Sequence, residues 1–205
     1  MKISDLLKKF TIIFVLIGLI IIFSVINPVF FSIRNFTNIF IQQSYVIIAA
    51  IGLAFVMISG GMDLSVGYQM SLVGIMTALA MMWWNLPMPV AVMIGMVTGV
   101  VLGIINGLAA ISLKVHPLIV TLGTMTIFQG VSYIISNSNP IFGLPDSFKF
   151  LGQGYILGIP VCVIIMVIIA ALASLILNKT YFGRYVYALG SNDEAAHLAG
   201  VNVKW

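Results

Sequence analysis

Residues 59–68 read SGGMDLSVGY, an aspartate, two serines and three glycines set between two long apolar stretches. Two arrangements fit. The stretch can be a short turn between membrane helices, with Asp63 or Ser65 capping the helix that begins at Val66. A side-chain oxygen there accepts from free backbone N–H groups. It can also be a helix break lining a polar cavity, the form that irregular backbone takes at membrane depth in transporters. The two are compatible, and the glycines supply the backbone freedom that either requires. Asp63 is the one acidic residue between Asp5 and Asp146. A carboxylate at mid-bilayer costs about 2.5–3.5 kcal/mol on insertion scales and much less at the edge. Counting residues puts Asp63 at the inner end of the second span.

The flanks of this stretch are typical of the whole chain. Hydrophobic residues make up 61% of its 205 residues and charged residues 7%, against roughly 25% charged in soluble domains. So few charges cannot cover a water-facing surface. An all-α, polytopic integral membrane protein is expected. The net charge of +4 matters less than where the basic residues lie, and no nucleic-acid partner is expected. The single cysteine, Cys162, can neither close an intrachain disulfide nor build a metal site alone. No metal site and no catalytic constellation are expected. A basic start with Lys2, Lys8 and Lys9 precedes the apolar run Phe10–Ile26. That run exceeds the roughly 7–15 residues of a signal-peptide core. Asn27-Pro28 follows it rather than a small-residue cleavage site, so a retained first span is expected.

Six segments reach the roughly 17–25 residues that a membrane-crossing helix needs. They are Phe10–Ile26, Ile39–Ile58, Val66–Trp84, Met88–Ile111, Leu118–Ser136 and Ile159–Leu177. Prolines and the Gly60-Gly61 pair punctuate them. With the N-terminus inside, the inner segments carry Lys2, Lys8, Lys9, Lys114, Lys179, Arg184 and Lys204, and the outer ones only Arg34 and Lys149. That asymmetry follows the positive-inside rule and makes the N-terminus cytoplasmic. Trp83 and Trp84 then fall at the outer headgroup layer. Asn137–Gly158 becomes the longest outer loop. Phe142, Phe148, Phe150 and Tyr155 on it can meet a binding protein or anchor in the interface. One transmembrane domain over 1–205 is expected, with residues 178–205 forming a cytoplasmic segment.

Polar residues within the spans are few. Gly95, Gly99, Gly103 and Gly107 recur every four residues on the fourth span, where small residues let another backbone approach closely. Helix packing is the expected use. Thr121, Thr124 and Gln129 on the fifth span, Asn106 on the fourth, and Gln42 and Gln43 on the second can hydrogen-bond between helices. They can also line a path for a polar solute. His116 is read as a loop histidine. A proton-coupling role would need further intramembrane carboxylates, which the spans lack. The twelve methionines are scattered through the apolar runs as packing and lipid-contact residues.

The tail ALGSNDEAAHLAGVNVKW ends the sequence. Ser191 and Glu194 have the spacing of a capping box. Asp193 and Glu194 suit the positive end of a helix dipole, and Gly200 is a natural stop. A short helix over 192–199 is expected. Its small residues suit a groove on a soluble partner better than a lipid surface, which would favour bulkier apolar residues and a basic face.

Three stretches carry a resemblance. SGGMDLSVG is similar to the GGIDLSVG stretch, and HPLIVTLGTMTIFQGVSYII to the Pro-Phe-Ile-x-Thr-Leu-Gly-Thr segment, of the permease subunits of sugar-type ATP-binding cassette importers. ALGSNDEAAHLAGVNV resembles the coupling segment of that family, whose branch covers ribose, galactose, xylose and autoinducer-2. The order and separation of the three also agree. Met62 stands where the family usually has isoleucine, and Gln129 where it often has arginine. The resemblance implies a permease that forms the translocation path and is not itself an enzyme. Its partners would be a cytoplasmic ATPase carrying ATP and Mg, a periplasmic or lipid-anchored solute-binding protein, and a second permease subunit. It implies a multi-pass place in the bacterial inner membrane. Gly190, Asn192, Asp193, Glu194, Ala195, Ala196 and Gly200 would couple to the ATPase. Asp63, Ser65, Asn106, Thr121, Thr124 and Gln129 are the path candidates. Family members continue past the coupling segment, so a truncated chain is expected. An ion-gradient-driven transporter and a non-transporting remnant are the competing expectations. The chain itself has no phosphate-binding Gly-x-x-x-x-Gly-Lys-[Ser/Thr] loop.

Overall fold

The computed structural model describes residues 3–201, with side chains from residue 10 onward. Lys2, Lys204 and the end of the tail at 202–205, which entered the reading of orientation and of the hydrophilic segment, lie outside the described residues. So do the side chains of Lys8 and Lys9. The chain divides into two compact units, Met1–Gln43 and Ser44–Trp205. The described elements are α1 (Ile3–Ile26), α2 (Ile33–Ile58), α3 (Val66–Met82), α4 (Met88–Leu113), α5 (Pro117–Ser136), α6 (Asp146–Gln153), β1 (Tyr155–Ile156), β2 (Ile159–Pro160), α7 (Val161–Lys179), α8 (Tyr181–Ser191) and α9 (Asp193–Leu198).

In the first unit, α1 stops where Pro28 removes a donor. Asn27 Oδ1 accepts from Val29 N–H at 3.0 Å and shapes the turn. Ser32 Oγ accepts from Asn35 N–H at 3.2 Å, capping the start of α2. That cap explains a difference from expectation. The second helix begins six residues before Ile39, because Ile33–Asn38 is helical although it is too polar to register in an apolar run.

In the second unit, α3, α4 and α5 pack on one another. Leu72, Leu102 and Phe128, one from each helix, form one buried cluster. Ala80, Met81 and Ala91 form another, against which Leu144 and Phe148 pack. Phe148 therefore turns inward, whereas Phe142, Phe150 and Tyr155 are exposed. Beyond these clusters much of the surface is apolar: Val97, Val100, Ile104, Leu108 and Ile111 lie open along α4. Such an exterior suits lipid, where the backbone must satisfy itself within helices. Among the described residues four helices, α2, α4, α5 and α7, are long and apolar enough to cross a membrane by length and composition. Phe10–Ile26 and Val66–Met82 are shorter apolar helices. The chain is a polytopic helical membrane protein.

Two expected irregular regions are structured. The long loop after the fifth span contains α6 and the β1–β2 hairpin, paired Tyr155 to Pro160. The hairpin takes Ile159 and Pro160 from the expected sixth span, so α7 starts at Val161. On α6, Lys149 bonds the Asp146 carboxyl at 2.8 Å. That hydrogen bond, with the charge behind it, holds the carboxyl below its ordinary pKa. The hydrophilic segment after α7 holds a helix that the sequence reading passes over. In α8, Thr180 accepts from Gly183 N–H, Phe182 meets Phe55 with centroids 6.3 Å apart, and Arg184 sits over the Tyr181 ring.

Candidate functional site

The backbone leaves α2 at Ile58 and re-enters helix at Val66. Gly60, at φ +88°, makes the reversal. Such a φ suits a residue without Cβ. Ser59 and Gly61 close back on Phe55 and Val56 carbonyls. Asp63 is then held by uncharged donors. Its Oδ1 accepts from Ser65 N–H at 2.8 Å and from Ser65 O–H at 2.6 Å. Its Oδ2 accepts from Gln69 Nε2 at 2.9 Å and, at 3.4 Å, from Asn106 Nδ2. Ser65 Oγ in turn accepts from Gln69 Nε2 at 2.7 Å and from Asn106 Nδ2 at 2.8 Å. Ser65 has no exposed surface at all. Among the described residues the one ion pair is Lys149–Asp146, and none of their cations pairs with Asp63.

This arrangement corrects the capping expectation. Ser65 occupies the N-cap of α3 but makes no side-chain bond to the helix's free N–H groups. Its hydroxyl is committed to the carboxylate, because a charge-assisted bond is stronger than a neutral cap. Asp63 accepts from the N-cap residue itself and from the Gln69 side chain, not from a backbone N–H of the first turn.

The same knot ties the break to two distant helices. Asn106 on α4 is 7% exposed and reaches Ser65 across 41 residues of sequence. Thr121 on α5 accepts from Leu64 N–H at 3.3 Å, and its hydroxyl lies 3.4 Å from the Met62 carbonyl. The orientation of the Asn106 amide follows from the donor count. Asp63 offers only acceptors, and the single Ser65 hydroxyl proton goes to Asp63, so Asn106 must present its NH₂ there. Its Oδ1 is left buried without a partner.

Other candidates fall elsewhere. Thr124 is buried, and its hydroxyl turns to the Thr121 carbonyl of its own helix. Gln129 donates to Tyr133 OH, four residues on, and does not join the knot. Gln69 does join it, though the sequence reading singled out Gln42 and Gln43 instead. Its spacing of four from Ser65, one helical turn, was the available signal. His116 lies in the loop before α5, as expected, and there caps that helix, Nδ1 accepting from Leu118 N–H at 3.3 Å.

The glycine row on α4 divides. A Cβ at Gly95 would collide with the Thr77 hydroxyl, and one at Gly99 would lie 3.4 Å from Val73, so this half lets α3 approach. At Gly103 and Gly107 a Cβ would meet nothing. Gly103 and the neighbouring Gly99, with Gly52, Val73, Asp63 and Gln69, border a cavity of about 350 Å³.

The second candidate region is α8–α9. The expected capping box is absent: Ser191 belongs to α8, and its hydroxyl donates to Tyr187 O at 2.8 Å. Asn192 is the cap, Oδ1 accepting from Ala195 N–H at 2.9 Å. A continuous bonded turn through Ala188 carries α8 up to Asn192 and takes Ser191 out of reach of that role. The helix is consequently Asp193–Leu198, shorter than 192–199. Gly200, at φ +83°, ends it, and Val201 N–H returns to Ala196 O. This is the double closure of a Schellman motif. Ala196 is buried, while Asp193, Glu194 and Ala195 are exposed. Gly190 lies hard against the Ile58 carbonyl at the end of α2, so α8 abuts the break.

Residues 35–205 match the family described as branched-chain amino acid transport system / permease component. The chain is 43% identical over 192 residues to the ribose import permease protein RbsC of Haemophilus influenzae, covering 92% of this chain and 59% of that protein. It is 35% identical to the D-allose transport system permease protein AlsC of Escherichia coli, covering 96% of this chain and 61% of that one. It is 36% identical to the galactose/methyl galactoside import permease protein MglC of H. influenzae, covering 98% and 66%. The chain thus spans about six tenths of the length of these relatives. No solved structure matches it.

Proposed function

The chain belongs to the permease-component family just described, and from that membership we propose that it is the membrane-spanning subunit of an ATP-driven monosaccharide importer in the bacterial inner membrane. The observation that carries this reading is the 35–43% identity, across more than nine tenths of the chain, to permeases named for ribose and allose. The N-terminus is cytoplasmic in this reading, and α9 lies on the same side. The chain supplies the path and the lever. A separate ATPase binds ATP and Mg and grips the exposed Asp193, Glu194 and Ala195. A solute-binding protein delivers sugar at the other face, and a second permease subunit completes the path.

The knot supports a mechanical role for the break rather than an ionic one. All four donors to Asp63 are uncharged protein groups, which leaves no free carboxylate oxygen for a coupling ion. Alternating access then follows from movement of α8–α9 against the end of α2, passed on to α3, α4 and α5 through Ser65, Asn106 and Thr121. The test is uptake of labelled D-ribose, D-allose and D-galactose into proteoliposomes holding the permease, its ATPase and its binding protein. Sugar uptake that requires ATP is expected. Uptake that survives removal of the ATPase but collapses with the proton gradient would overturn the reading.

A further inference from the structure

A second cavity, of about 440 Å³, lies between α3 and the C-terminal end of α5, away from the Asp63 knot. Its size is within the roughly 300–1,000 Å³ of small-molecule sites. Polar groups reach it from three pieces of chain: Ser71 on α3, Ser132, Tyr133 and Ser136 on α5, and Ser138 and Asn139 just beyond.

Not all of these hydroxyls are satisfied within their own helices. Elsewhere Ser24, Thr37, Thr77 and Thr98 turn back and donate to the carbonyl four residues earlier, at 2.6–2.9 Å. That is the ordinary way to satisfy a hydroxyl where water is scarce. Ser71, Ser136 and Ser138 do not: among the described residues none of the three hydroxyls has a partner, Ser71 and Ser138 being exposed and Ser136 half-buried. Ser132 donates to Phe128 O but keeps its acceptor pairs. Asn139 donates to Asn137 O and leaves its own carbonyl oxygen unengaged.

The backbone is bent to bring them together. Asn137 and Ser138 are consecutive left-handed residues, at φ 51° and 55°. Asparagine tolerates this conformation, but serine adopts it rarely. Ser138 N–H closes on Tyr133 O at 2.9 Å, which folds the chain back so that residues 138–141 wall the cavity. Strained backbone of this kind concentrates at binding sites. On the facing wall Gly74 has no Cβ, and one placed there would meet nothing within 4 Å.

We propose that this cavity is a binding site for a neutral polyhydroxylated solute, a monosaccharide or polyol, on its way through the subunit. No charged side chain lines it. A carboxylate, phosphate or ammonium would lose its hydration there without a counter-charge. The free amino acids named in the family's description carry two such groups, so the lining selects against them. A sugar offers several hydroxyls that both donate and accept, which the unpaired serines can meet, and C–H faces for Ile75, Ala78 and Ile141. The inference deepens the import reading and rests on it.

The test uses the complete importer in proteoliposomes, in a Cys162→Ala background, with whichever of D-ribose, D-allose and D-galactose is transported. Gly74→Leu, whose Cβ has open space, narrows the cavity and should raise the KM for uptake about tenfold, the equivalent of one or two lost hydrogen bonds, with ATPase binding unchanged. Ser136→Cys should react with a membrane-impermeant thiol reagent, and the transported sugar, but not leucine, should slow that reaction during turnover. If the parent transports sugar while Gly74→Leu keeps its KM, or Ser136→Cys is inert or unprotected, the cavity assignment is wrong and the import reading stands. If the parent moves no sugar, the import reading fails and this inference falls with it.

Discussion

Gly190 on α8 rests directly on the carbonyl of Ile58, the last residue of α2, with no space for a Cβ between them. The contact joins the helix that precedes α9 to the residue at which α2 breaks. One residue past Ile58 begins the stretch that holds Asp63 and Ser65. Movement of α8 therefore meets backbone, which cannot yield as a flexible side chain does.

The first prediction tests this seat. Gly190→Ala places a methyl group against the Ile58 carbonyl and forces α8 away. Overpacking of this kind costs about 1–3 kcal/mol. Lower thermal stability and weaker sugar-stimulated ATPase activity are expected in the assembled importer. A Gly67→Ala control, where a Cβ would meet nothing within 4 Å, should leave both intact. Equal behaviour of the two variants would remove the seat from the coupling route.

A second prediction concerns the pairing of Asp63 with Asn106. Asp63→Asn turns an amide NH₂ toward donors, and Asn106→Asp sets a second carboxylate against the first. Each alone should destabilise by about 2 kcal/mol, the first by leaving the buried Asn106 amide short of an acceptor, the second by like-charge repulsion. Together they restore one acid and one amide across the same gap. A double-mutant cycle on thermal unfolding should give a favourable coupling of about 1–2 kcal/mol. Simple additivity would show that the two side chains do not act as a pair.

Thr121 clamps the 62–64 backbone to α5. Thr121→Val removes the oxygen and keeps the shape. It should cost about 1–2 kcal/mol, because Leu64 N–H loses its acceptor, and should speed hydrogen exchange at Leu64. Thr121→Ser should behave as the parent. Protection at Leu64 unaltered in the valine variant would mean that the clamp is not formed.

The two residues before α9 should respond differently. Asn192→Ala removes the cap and should cost about 1 kcal/mol of local stability, seen as faster exchange at Ala195 and reduced co-purification of the ATPase. Ser191→Ala should change neither, since that hydroxyl only returns to Tyr187. The neighbouring alanines divide as well. Ala195→Leu alters an exposed position and should impair ATPase binding alone, whereas Ala196→Leu overpacks a buried one and should lower stability too.

Membrane class, the five apolar helices from α1 to α5 and the place of α7 were all legible along the chain. Each depends on a run of side chains whose transfer free energy adds up residue by residue. The glycine stop at Gly200 was legible too, because it follows from the backbone freedom of one residue. Boundaries failed where polarity hid a helix. Ile33–Asn38 and Tyr181–Ser191 carry no long apolar stretch, and Ser32 and Thr180 extend helix into them through caps. Ser191 failed as a cap for the opposite reason: the preceding helix had already absorbed it.

The sequence by itself determined that this protein lives in lipid and that residues 59–65 interrupt its helices, since burial energies and glycine torsions are local properties. Only the tertiary structure decided what the interruption is tied to. Asp63, Asn106 and Thr121 are separated by 43 and 15 residues, yet one set of hydrogen bonds unites the break with α4 and α5. Direction and distance decide a hydrogen bond, and no periodicity along the chain encodes either. The same holds for Ser71 and Ser136, unremarkable in their own helices, whose hydroxyls, unpaired among the described residues, the fold brings to one cavity.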